Sequence, residues 1–107
     1  MRYGDDAIRM MTESSEPEVR ALARMWEACS PSLEAWVNDE LGAGTRFAEI
    51  TYAMLQFAAN NLVALVRIGK DGPINEDKMV EALCKGFGHA CRAASAAVEE
   101  AERTKMQ

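Results

Sequence analysis

The sequence predicts an all-α protein, a small bundle of about four helices, and three observations carry that prediction. Apolar residues recur at spacings of three and four through most of the chain. No run of useful length alternates apolar and polar residues as a half-buried strand would. The gaps between the periodic runs hold capping residues, glycine and proline, which stop and start helices. With 107 residues, 49% hydrophobic and 27% charged, the chain has the size and composition for one core, so residues 1–107 are read as a single helical domain.

Residues 1–14 show no clean periodicity. Ile8 and Met11 fit one face of a short helix, and a loosely docked arm fits equally well. Ser15-Glu16-Pro17-Glu18 offers a side-chain cap, a first-turn proline and a glutamate placed to return the bond, so a helix is expected from Ser15 to about Cys29. Its stripe is Val19, Leu22, Trp26 and Cys29. Ser30-Pro31 reads as a second cap with proline at the first helical position, which predicts a stop and a change of direction. The helix that follows carries Leu33, Trp36, Val37 and Leu41, and Gly42-Ala43-Gly44 ends it, with Thr45 as the next cap.

Residues 46–68 predict a long central helix. Phe47, Ile50, Met54, Ala58, Leu65 and Ile68 form its centre line, and with their flanking residues they span roughly 220° at 100° per residue, wider than a one-sided stripe. Gly69-Lys70-Asp71-Gly72-Pro73 breaks the chain, and Asn75 caps the last helix with Ile74 and Met79 placed as a hydrophobic staple. Val80, Leu83, Phe87, Cys91, Ala94, Val98 and Ala101 then form a seam suited to packing along the preceding helix. The expectation is a long antiparallel C-terminal helix hairpin.

Charge narrows the function classes. The net charge is −5, and residues 1–44 hold nine acids against four bases while residues 45–107 hold eight of each. An acidic surface repels phosphate, so direct nucleic-acid binding is disfavoured and a basic protein partner is favoured. The most apolar run, residues 53–66, is interrupted by Gln56, Asn60 and Asn61 and is too short to span a bilayer. Asp5 and Asp6 stand where an export signal would be basic, so a cytoplasmic protein without a membrane role is expected. Three cysteines, Cys29, Cys84 and Cys91, then read as reduced, mostly buried thiols.

Two groups of residues are candidate sites. Ala82, Gly86, Ala90, Ala93 and Ala97 make a small-residue track beside the seam of the last helix, where a solvated face would favour lysine or glutamate. Either the N-terminal helices of the same chain or a second subunit would cover it. Asn61 falls inside the apolar arc, where an unpaired amide costs on the order of 1–3 kcal/mol, and with Tyr52 and His89 it outlines a polar pocket.

No metal and no cofactor is expected. Cys84 and Cys91 share a helical face about 10 Å apart and His89 points some 140° away from Cys84, so one zinc ion cannot join all three. Gly42-Ala43-Gly44-Thr45 lacks the lysine and the preceding strand of a phosphate loop. Local spacing sets no nucleophile or carboxylate beside His89, which argues against an enzyme. The sequence therefore leads to a non-enzymatic interaction module, a regulator, adaptor or assembly factor acting as a homodimer. Two alternatives remain at this stage: an acidic inhibitor covering the basic surface of a nucleic-acid-handling protein, and a small enzyme or ligand-binding domain with a pocket near Asn61.

Overall fold

A computed structural model describes residues 5–105, all of whose regular structure is helical. The order is α1 (Asp5–Thr12), α2 (Pro17–Gly42), α3 (Phe47–Gly69) and α4 (Glu76–Lys105). Two compact units divide the chain between Leu55 and Gln56, inside α3.

In the first unit α1 packs along α2. The acidic start of α1 suits its helix dipole, Arg9 pairs with Asp6 at 3.3 Å, and the half-buried Ile8 and Met11 share its inner side. Residues 5–12 of the expected arm are thus a short docked helix, and residues 1–4 of it lie outside the described residues. Serine does not cap α2 in the expected way. Glu16 holds the cap position without a side-chain bond, and Ser14 Oγ accepts from the Glu16 N–H at 3.2 Å one step earlier. Arg20 secures the approach by donating to the Ser14 carbonyl at 2.8 Å.

The largest departure from expectation is at Pro31. Instead of a break at Ser30-Pro31, α2 continues through the proline for 26 residues. A break would leave up to four backbone groups unpaired on each side, whereas proline in an unbroken helix forfeits one bond and crowds one carbonyl, that of Glu27. Continuation leaves fewer groups to satisfy.

Gly44, at φ +91°, turns the chain after α2, a conformation that glycine adopts without strain. Thr45 does not cap α3. Its hydroxyl turns back and donates to Glu40 Oε2 at 2.6 Å, while the Thr45 N–H reaches the Glu40 carbonyl at 3.0 Å. Arg46 takes the cap position, and Glu49 returns a bond to the Arg46 N–H at 3.0 Å and an ion pair to its guanidinium at 3.1 Å. The backbone N–H and then the guanidinium hold the Glu49 carboxyl below its ordinary value of 4.5. Because the folded-state value is the lower one, the contribution is present above 4.5 and is lost as pH falls through the folded value. Denaturant midpoints followed from about pH 6 to about pH 3 should therefore fall less for Glu49→Gln than for the parent over the acidic end.

In the second unit, Gly72 at φ +97° shapes the link from α3 to α4. Asn75 caps α4 as the sequence predicts, its Oδ1 accepting from the Lys78 N–H at 3.0 Å. Asn75→Ala should cost about 1 kcal/mol, measurable as a lower denaturant midpoint with unchanged slope. Met79, the far end of the expected staple, is buried, and Ile74 is half-buried. Val66, Lys70, Ile74, Met79 and Leu83 line a groove at the elbow, the link from α3 to α4.

Burial is sparse throughout. Among the described residues the buried apolar side chains are Ala23, Ile50 and Met79, with Ser30 as the buried polar one. Trp26 and Trp36 are half-buried on the single helix α2.

Candidate functional site

α4 runs for 30 residues, and Met79 in its first turn is its buried residue. Alanine supplies much of its length, which favours the helix without demanding a packing partner. Its five track residues, Ala82, Gly86, Ala90, Ala93 and Ala97, are all exposed, and a methyl group built on Gly86 would meet no atom within 4 Å. Beside them Phe87 is 46% exposed and Val98 57% exposed. The same holds on α3, where Phe57 is 72% exposed and Ile68 81%. A scattered exposed leucine is ordinary, whereas here exposed aromatic and branched residues recur on two helices.

The residues of the expected polar pocket fall on α3 and α4. Tyr52 and Asn61 lie nine positions apart on α3, which turns them to opposite sides of the helix. Asn61 is exposed, and its Nδ2 donates to the Phe57 carbonyl one turn back at 2.8 Å, so the helix itself occupies the amide. His89 is exposed on α4. The elbow groove and the cleft between α1 and α2 are lined by other residues, the latter by Ile8, Arg9, Thr12 and three carboxylates, Asp5, Glu13 and Glu27.

All three cysteines are exposed free thiols rather than buried ones. They lie on stripes that helical periodicity marks as apolar. Among the described residues no three or more His, Cys, Asp or Glu side chains gather where a metal ion could be held. No helix among them is long and apolar enough to cross a membrane.

What sequence reasoning missed is that the large seam residues, Phe87 and Val98, stand exposed together with the small track. The signal was in the spacing. From Val80 onward the seam residues follow at steps of three and four, which keeps them on one side of the helix. No protein-family model, curated protein or solved structure matches this chain.

Proposed function

We propose that this chain is a non-enzymatic helical interaction module that acts by association, as a regulator, adaptor or assembly factor, and that it works as a homodimer through α4. The observation that carries the reading is the exposed apolar surface of α4, with Phe87, Val98 and the alanine track uncovered on a helix whose buried residue is Met79. Isolated helices gain little from propensity alone, and a face of this kind is stabilised by being covered. A closed bundle with α3 and α4 antiparallel belongs to the same reading, since a partner helix on α4 supplies the packing that completes it.

The test is molecular mass by light scattering over a range of protein concentration and salt. A dimer whose mass holds as salt rises supports apolar association, because salt screens charge pairs and strengthens apolar burial. A monomer at every concentration overturns the reading.

A further inference from the structure

We propose that the groove at the link from α3 to α4 binds an anionic amphiphile, a short aliphatic chain ending in a carboxylate. The chain lies along Val66, Ile74, Met79 and Leu83 and its head meets Lys70 and Lys78; this goes beyond the association proposed above and does not depend on it. The groove lies wholly within the second unit and has a volume of about 250 Å³. Gly72, at φ +97°, and the Asn75 cap fix the course of the link that forms it. Met79 is the buried apolar side chain of this unit among the described residues, and Val66, Ile74 and Leu83 beside it are half-buried. The walls are therefore formed before anything binds, and a formed site loses little freedom on binding.

Charge selects the sign of the ligand. The chain carries −5, yet two lysines and no carboxylate line this groove among the described residues. Lys70 follows the last residue of α3 and Lys78 lies in the first turn of α4, so the two cations come from the two ends of the link. Neither is in an ion pair among the described residues, where the paired cations are Arg9, Arg46 and Arg103. The neighbouring acids, Asp71, Glu76 and Asp77, lie outside the lining. The cleft between α1 and α2 has the opposite sign, with three carboxylates and one arginine. An anion is thus favoured at the first groove and repelled at the second.

The rest of the lining selects the class. No aromatic ring lines the groove to stack a base, and its one side-chain amide, Asn75, has its Oδ1 engaged by the Lys78 N–H. Nucleotide and sugar recognition therefore lack their parts. Pockets for drug-sized ligands run to ~300–1,000 Å³, so this smaller groove suits one short chain. Branched aliphatic and thioether walls take the chain out of water, and the lysines give the carboxylate charge-assisted hydrogen bonds at the rim.

The experiment titrates the full-length chain with octanoate, with octanol as the uncharged chain and acetate as the head alone, and follows backbone amide shifts by NMR. The expected result is saturable octanoate shifts centred on Val66, Ile74, Met79 and Leu83, with octanol and acetate each weaker by about tenfold or more. Lys70→Gln combined with Lys78→Gln should weaken octanoate by about tenfold or more, whereas Lys85→Gln, outside the groove on α4, should leave it unchanged. Circular dichroism checks that both variants keep their helix. Octanol binding as tightly as octanoate, or a double variant that binds as well as the parent, overturns the anionic head. Shifts that spread along α3 and α4 without saturating, or no shift through the millimolar range, overturn the site. Saturable binding by a chain that light scattering shows to be monomeric leaves this proposal standing while the homodimer falls.

Discussion

Replacing Ala90 by glutamate is expected to convert the proposed dimer into folded monomers, weakening association by about 100-fold or more. Ala90 is exposed in the free chain, and glutamate forms helix nearly as well as alanine, so the substitution should change the monomer's stability by only a few tenths of a kcal/mol. In the proposed pairing through α4 the same carboxylate would be brought into an apolar interface. A charge brought there without a partner costs several kcal/mol, and about 2.7 kcal/mol already corresponds to 100-fold. The measurement is mass against concentration, with helicity by circular dichroism as the control for folding. Ser95→Glu, on the outer side of α4, should leave the mass unchanged. If Ala90→Glu and Ser95→Glu behave alike, the association surface is not on this face of α4.

The second large effect is expected at Pro31. Proline in a helix interior is about 3 kcal/mol less favourable than alanine, through the missing N–H and the clash with the carbonyl four residues back. Because α2 runs unbroken through this position, Pro31→Ala should restore the bond to Glu27 and stabilise the first unit by about 1–3 kcal/mol. A higher thermal midpoint and greater helicity are the readouts. A variant that is no more stable would mean that the helix bends at Pro31 and that α1 docks on the bent form. The straight helix restored by alanine would then lose that docking.

Much of the local architecture was legible in the sequence. The break between Gly69 and Pro73, the cap at Asn75 and the termination after Gly42 all rest on short-range chemistry that few contexts override, and all three are present. Pro31 was misread for a physical reason. A serine before a proline has the same composition at a helix start as in a helix interior, and the balance between one lost bond and two new helix ends is not written in the dipeptide. Thr45 and Ser15 show the same limit at smaller scale. Each is a good cap by type, but Thr45 has a better partner in Glu40, and Glu16 rather than Ser15 holds the cap position of α2.

The candidate site was legible in position and not in circumstance. Periodicity identified the face of α4 through Ala82, Gly86 and Ala90, and it also identified the apolar arc of α3 through Phe57 and Leu65. It could not say whether those faces find cover, because a stripe specifies what one helix wants and not what stands opposite. Asn61 illustrates the consequence. Its place in the arc implied burial and a distant partner, whereas an uncovered arc leaves it in solvent with a bond to its own helix at Phe57.

The scarcity of buried side chains also governs how the chain should respond to heat. A globular domain of this length melts in one sharp transition because its core comes apart as a unit. Here Ala23, Ile50 and Met79 are shared between two units, too little to bind 30 residues of α4 into a common event. Under the proposed self-association the midpoint would rise when copies are abundant and fall on dilution. Under that proposal, scarce copies would fray and be open to proteolysis, while plentiful ones would shelter one another.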